Sequence, residues 1–421
     1  MVQKDILKQV LVEQRDAILQ KPLGIQRTIL RFIEKKAGLP HIVVLTGLRR
    51  SGKSTLLRQV IKKRYDDKDF YYINFEDERL FNFKAEEFND IYEALIELFG
   101  EKKTFFIDEV QNVSNFESFV RRFYDAGFKF FITGSSAKLL SKEIGTKLTG
   151  RHIDIIVRPF SFKEFLESKN FNANKHAILK TKTRAELKKH FNEYLINGGM
   201  PEYVQYHDPE ILIRAYEDIV IKDIAARYRI DNIKELKELY QYLVTTTSQR
   251  FSYNSLKKFI NINSANTIKK YIGFLEETFF ISQANKFDYS LKKQIINDKK
   301  IYVVDNGFIQ KISLKFTKDE GWLLENMVFN VLKTQGEVFY FSDRFECDFV
   351  IAEKSRVKDA VQVCWSINQT NKERELAGLL EAMDRFKLKT GTILTNDQEE
   401  EIEIGKKIVI IRPVWKWLLT V

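Results

Sequence analysis

A chain of 421 residues is longer than one compact core usually reaches, so two to four domains are expected. With 44% hydrophobic and 13% aromatic residues but only 18 Gly and 6 Pro, it is excluded from the disordered, collagen-like and low-complexity classes. Lys and Arg number 69 against 58 Asp and Glu, and the net charge of +11 favours polyanionic partners.

Apolar runs such as 42–45 and 130–132 fall far short of the roughly 18 residues that a bilayer span needs, and no signal-peptide pattern opens the chain. Two cysteines, Cys347 and Cys364, are too few for a disulfide framework or a four-cysteine zinc site. A cytoplasmic protein without a membrane partner is expected.

In chain order, residues 5–36 read as two amphipathic helices broken at Lys21-Pro22-Leu23-Gly24, with Ile6, Val10, Leu11 and Ile18 on one face. Beyond His41, apolar runs at 42–45, 70–75, 104–107, 129–133 and 153–157 alternate with helical patterns. That rhythm predicts a buried parallel sheet with right-handed crossovers.

Directly after the first of those runs, Gly47-Leu48-Arg49-Arg50-Ser51-Gly52-Lys53-Ser54 fits G-x-x-x-x-G-K-[ST], and the helical stretch from Thr55 to Val60 follows it. The glycines let the backbone curl until successive N–H groups and a helix N-terminus face phosphate oxygens. Lys53 is expected to neutralise the β- and γ-phosphates of ATP, Ser54 to offer a hydroxyl to Mg²⁺, and Thr55 to complete the cradle.

Hydrolysis needs acids at the end of another buried strand, and Thr104-Phe105-Phe106-Ile107-Asp108-Glu109 supplies two. Asp108 is expected to hold Mg²⁺ through water and Glu109 to polarise the attacking water, since adjacent acids in a cleft are costly unless metal or substrate compensates them. The run 130–136 ends in small polar residues, so Thr133 or Ser135 is a candidate for sensing the γ-phosphate. Arg151 is a candidate arginine finger or sensor.

After Arg158-Pro159 the pattern becomes helical and polar, broken by the turn Asn197-Gly198-Gly199-Met200-Pro201. Helices are then expected at 234–245, 253–259 and 264–277, with strands at 279–287 and 300–304. This order resembles a winged helix-turn-helix in which Asn266, Thr267, Lys269 and Lys270 enter a major groove and strands around Lys292-Lys293 form the wing. Residues 222–300 hold 15 Lys or Arg against 8 Asp or Glu, a net +7, which makes this the expected DNA-contacting segment. Winged helices also serve protein contacts, so both kinds of partner stay open. The remainder gives helices at 322–334 and 372–385 and strands at 338–341, 347–351, 359–363, 390–394 and 408–411, a second α/β unit.

Seven strings come in order: the P-loop, Tyr72-Ile73-Asn74-Phe75-Glu76-Asp77, Asp108-Glu109-Val110-Gln111, Thr133-Gly134-Ser135, Gly150-Arg151, Pro159-Phe160-Ser161-Phe162-Lys163-Glu164-Phe165, and Gly198-Gly199-Met200-Pro201-Glu202. Over nearly its whole length the chain resembles the AAA_14 ATPases with a DUF4143 C-terminal region. These are AAA-like archaeal and bacterial ATPases of the additional-strand class, near the STAND-like and MoxR-neighbouring branches. The resemblance implies an α/β fold: a P-loop NTPase parallel sheet with flanking helices, then a winged helix, then a small α/β domain similar to PD-(D/E)xK nucleases. The expected domains are N-terminal helices (1–36), ATPase core (37–165), helical lid or linker (166–230), winged helix (231–304) and nuclease-like domain (305–421).

In that nuclease superfamily a helix acid, an Asp and a Glu-x-Lys bind Mg²⁺ and activate water. The matching positions here are Glu325, Asp348, Gln362 and Cys364. Gln362 can still offer an oxygen, but Cys364 cannot replace a cationic lysine, although Lys372 on the next helix is a candidate to reach back. A DNA-binding or structural remnant is therefore expected. The whole chain reads as a Mg²⁺-dependent ATPase acting on DNA, with a nucleotide-dependent homo-oligomer as a further expectation. The alternative is a STAND-like switch that acts on protein partners without DNA.

Overall fold

In the computed structural model, which describes residues 3–135, 148, 150–173, 179–262, 264–314, 320–354 and 356–421, five apolar runs of the first part form one parallel sheet. They are β1 (Ile42–Thr46), β2 (Tyr71–Asn74), β3 (Thr104–Asp108), β4 (Lys129–Gly134) and β5 (His152–Ile156), ordered β2-β3-β4-β1-β5. β1 and β3 are buried at every position, which is why they read as unbroken apolar runs and not as an alternation. This is a P-loop NTPase sheet, and it lies in a compact unit formed by residues 1–158 with 277–279.

Helices α1 (Lys4–Gln20), α2 (Leu30–Ala37), α3 (Lys53–Val60), α4 (Phe88–Phe99) and α5 (Phe116–Asp125) flank the sheet. One apolar layer gathers Tyr71, Phe88, Phe105, Phe119 and Phe130, and the other gathers Leu45, Leu56, Phe70, Phe106 and Phe131. Neighbours in register stack across the strands, Phe105 on Phe130 at 5.2 Å and Phe106 on Phe131 at 4.6 Å. On α1 the buried stripe is Leu7, Val10, Leu11, Gln14 and Ile18. Ile6, expected in it, is exposed, because the three- and four-residue spacing starts from Leu7.

The second unit comprises residues 159–276 with 280–421. It begins with α6 (Phe162–Ser168), α7 (Thr181–Asn197), α8 (Pro201–Tyr206) and α9 (Pro209–Asp218). Between α7 and α8 the glycine pair does more than turn the chain. A Cβ on Gly198 would meet Asp305 Oδ1 at 1.8 Å, and one on Gly199 would meet Phe160 O at 2.3 Å. Asp305 accepts the Gly199 and Gly307 N–H groups at 2.6 and 2.9 Å, and burial lifts its carboxyl to about 6.

Helices α10 (Ile233–Thr245), α11 (Tyr253–Phe259) and α12 (Ala265–Glu277) come next, with an antiparallel sheet ordered β6-β8-β7 from β6 (Arg250–Phe251), β7 (Ile281–Asn285) and β8 (Lys299–Val303). Lys292 and Lys293, expected on wing strands, instead lie on a short helix, α13 (Leu291–Ile296), between β7 and β8. The helix wins because its end is satisfied: Lys299 Nζ donates to the carbonyls of Ile295 and Asn297 at 2.9 and 3.0 Å, and Gln294 Nε2 donates to Asp288 O at 2.6 Å.

After α14 (Asn306–Ile312) and α15 (Glu320–Leu332), a mixed sheet runs β13-β14-β12-β11-β10-β9. Its strands are β9 (Glu337–Ser342), β10 (Glu346–Glu353), β11 (Arg356–Val363), β12 (Thr390–Thr395), β13 (Glu400–Ile404) and β14 (Lys407–Pro413), with α16 (Lys372–Phe386) packed on it and α17 (Val414–Trp417) after it. The edge strand β13 was not expected, because its alternation of Glu and Ile is weakly apolar and barely buried. Cys347 and Cys364 are free thiols in the apolar core of this sheet with Val350, Leu379, Met383 and Ile393. Among the described residues no helix is long and apolar enough to cross a membrane.

Candidate functional site

β1 delivers the chain to residues 47–52, and α3 begins at Lys53. A Cβ on Gly47 would lie 2.1 Å from Val157 O, while Arg50 (φ +63°) and Gly52 (φ +93°) hold left-handed backbone, so the loop curls tightly before the helix. The hydroxyls of Thr46 and Ser51 are buried without hydrogen-bond partners. Lys53, only 4% exposed, donates to Gly47 O at 3.2 Å and Leu48 O at 3.1 Å, with Glu109 Oε1 at 3.9 Å. An ammonium drawn onto its own loop carbonyls, beside unsatisfied hydroxyls and a helix N-terminus, fits an incoming phosphate. Of the other loop residues, Leu48 is buried, Ser54 and Thr55 are half-buried, Arg50 is exposed, and Arg49 pairs with Glu76 at 3.0 Å.

Asp108 ends β3 and is buried; Tyr72 OH donates to its Oδ2 at 3.1 Å and Thr133 Oγ1 donates to its Oδ1. Thr133 also accepts the Glu109 N–H at 2.9 Å, so one hydroxyl fixes both acids. Gln111 Nε2 donates to the Glu109 carboxylate and, at 3.1 Å, to Ser135 Oγ. Burial lifts the Glu109 carboxyl above its ordinary range, Lys53 opposing and Asp108 adding to the rise. Of the two sensor candidates, Thr133 touches the acids directly and Ser135 reaches them through Gln111. Ser54 and Asp108 carry hard oxygens of the kind a divalent cation takes.

Arg151, the candidate finger or sensor, lies away from this chain's own P-loop. Its carbonyl accepts the Ile42 N–H at the start of β1, and its side chain pairs with Asp125 at 3.3 Å. The rise of β1 separates that edge of the sheet from the P-loop by roughly 16 Å. Sequence reasoning missed Arg27 and Gln59. Arg27 is buried and donates to Ser51 O at 2.9 Å and Arg158 O at 2.6 Å, its own N–H donating to Gln59 Oε1 at 3.2 Å. Gln59 Nε2 donates in turn to Leu23 O and Ile25 O, both at 2.7 Å, tying the segment before α2 to the P-loop.

In the second unit, Asn266, Lys269 and Lys270 are exposed on α12 and Thr267 is half-buried, while Ile268 and Ile272 face inward. Lys292 and Lys293 are exposed on α13. Lys299 and Lys300, which belong to the basic segment by sequence, are buried.

Glu325 and Asp348 come together as expected, but around an ammonium. Lys300 Nζ lies 2.6 Å from Glu346 Oε1, 3.0 Å from Glu325 Oε1 and 3.2 Å from Asp348 Oδ1, and Tyr302 OH donates to Glu325 Oε1 at 2.7 Å. Burial opposes the Lys300 charge, yet the carboxylates outweigh it and the proton is held more tightly than usual. Gln362 Oε1 accepts the Asp348 N–H at 3.1 Å and its Nε2 donates to Glu375 at 2.8 Å, which ties β11 to β10 and α16. Cys364 belongs to the apolar core, and Lys372 is exposed at the first position of α16. Among the described residues no group of three or more His, Cys, Asp or Glu is arranged to hold a metal ion.

Comparison with known proteins adds kinship to this geometry. An AAA domain (AAA_14) matches residues 40–166, and a domain of unknown function (DUF8612) matches residues 188–319. An uncharacterized protein of Methanocaldococcus jannaschii is 38% identical over 100% of this chain and 97% of its own length. An uncharacterized protein of Haemophilus influenzae is 31% identical over 90% of this chain and 94% of its own. Among solved structures, the Aeropyrum pernix Orc1 protein in complex with DNA is similar at 12% identity and a TM-score of 0.28, covering 76% of this chain and 98% of that one.

Proposed function

The chain belongs to the family of the Methanocaldococcus jannaschii and Haemophilus influenzae proteins and carries an AAA domain over residues 40–166, and on that premise we propose that it is a Mg²⁺-dependent ATPase that couples ATP binding and hydrolysis to DNA contact. The observation that carries this reading is the joint placement of Lys53, Asp108, Glu109 and Thr133 at the ends of β1, β3 and β4. Backbone N–H groups of 48–54 cradle the phosphates, and Lys53 exchanges its loop carbonyls for β- and γ-phosphate oxygens. Ser54 and Asp108 would hold Mg²⁺, which would supply charge neutralisation to the triphosphate. Glu109, whose proton affinity is raised by burial, accepts the proton of the attacking water, and Thr133 keeps it in position.

The DNA reading rests on the winged-helix order of α10, α11, α12 and the β6-β8-β7 sheet, with Asn266, Lys269 and Lys270 outward and α13 in place of a wing strand. Residues 305–421 act as a nuclease-like remnant that does not cleave, because Cys364, in the apolar core, cannot replace the cationic lysine that steadies the nucleophile. The test is ATP turnover with and without duplex DNA, alongside sizing with and without nucleotide. DNA-stimulated turnover is expected. Turnover indifferent to DNA, with a nucleotide-driven change of size, would replace this reading with that of an assembly switch acting on protein partners.

A further inference from the structure

We propose that Lys300 is a resident cation: its ammonium fills the carboxylate centre of the C-terminal α/β unit and keeps a divalent metal out. Three elements converge there, β8 with Lys300 and Tyr302, α15 with Glu325, and β10 with Glu346 and Asp348. An ammonium has three donors, and three carboxylate oxygens stand 2.6, 3.0 and 3.2 Å from Nζ. Two of the carboxylates have further partners: Arg250 pairs with Glu346, and Asp348 Oδ2 accepts the Val363 N–H at 3.0 Å.

Hard oxygens of this kind otherwise collect Mg²⁺ or Mn²⁺. A lysine that assists a metal stands beside it, whereas Lys300 touches the very oxygens a metal would need. Its neighbours are tuned accordingly. Burial lifts the carboxyls of Glu325 and Asp348, with Lys300 opposing the rise at both, so removing the ammonium leaves crowded acids that only a new cation or protons relieve. This inference deepens the remnant reading of residues 305–421 and does not depend on the ATPase reading.

The test is Mn²⁺ binding to the nucleotide-free full chain, read by electron paramagnetic resonance. The unaltered protein and Asp348→Asn should bind alike, while Lys300→Met should gain one ion per chain, lost again when Asp348→Asn is added. Mn²⁺ should also raise the melting temperature of Lys300→Met and leave that of the unaltered protein in place. A Mn²⁺ site in the unaltered protein that disappears in Asp348→Asn overturns the proposal, as does a folded Lys300→Met that gains none. Should Lys300→Met fail to fold, the charge-balanced Lys300→Met/Glu325→Gln/Asp348→Asn must restore a cooperative transition, and its failure to do so also overturns the proposal. DNA cleavage by the unaltered protein overturns the remnant reading too, whereas Mn²⁺ binding without cleavage overturns this inference alone.

Discussion

Two buried lysines are compensated in opposite ways. Lys53 is drawn to two loop carbonyls, its carboxylate neighbour Glu109 standing off at 3.9 Å, and the hydroxyls of Thr46 and Ser51 nearby have no partners. Lys300 has three carboxylates within 3.2 Å, and the polar atoms around it are bonded to one another through Tyr302, Gln362 and the Val363 N–H. A buried charge facing neutral dipoles in a curled backbone remains open to an external anion. One facing a full set of counter-charges is closed, and its energy goes into the fold.

The sharpest way to break this comparison is Lys53→Ala. It should lower ATP turnover by roughly 10³-fold or more, because the β- and γ-phosphates lose their main cation, while thermal unfolding stays close to that of the unaltered protein. Lys300→Met should behave in reverse. Leaving the buried Glu325 and Asp348 and the half-buried Glu346 without their ammonium should cost about 3–5 kcal/mol in denaturant unfolding, with ATP turnover per folded molecule unchanged. If Lys53→Ala proved the more destabilising of the two, the contrast between an open and a closed site would collapse.

Glu109→Gln sharpens the open half. ATP affinity should hold within a few-fold while turnover falls by about 10²–10³, since the amide cannot accept the proton of water. The carboxylate must be ionised to act, and burial raises its pKa, so the acid limb of the pH–rate profile should lie above the ordinary carboxylate range near 4.3. An acid limb at or below that value would remove Glu109 as the base.

The same contrast explains what could be read without coordinates. The P-loop and Asp108-Glu109 were legible because each is a contiguous string whose neighbours, a buried strand and a helix, are coded in the same few residues. Arg27 was not, since its partners Ser51 and Arg158 lie 24 and 131 positions away and nothing local marks an arginine that binds carbonyls. Lys300 was hidden for the same reason. As Lys299-Lys300 it reads as a surface dipeptide, and only the distant Glu325, Glu346 and Asp348 give it a reason to be buried. Helix α13 was missed because its stop signal is the side chain of Lys299, not a glycine.

The smallest expected effect tests whether the exposed lysines of the second unit belong to function at all. Lys269 and Lys270 are solvent-facing on α12, neither is needed to bury Ile268 or Ile272, and their ammoniums can reach phosphates without reading bases. Replacing both with Ala should weaken duplex DNA binding equally across sequences and reduce the slope of log affinity against log salt by roughly 0.9 for each phosphate no longer neutralised. ATP turnover in the absence of DNA should be unchanged, because Lys53, Asp108 and Glu109 are untouched. Should the salt slope stay the same, α12 is not the DNA face, and the exposed Lys292 and Lys293 on α13 become the next pair to replace.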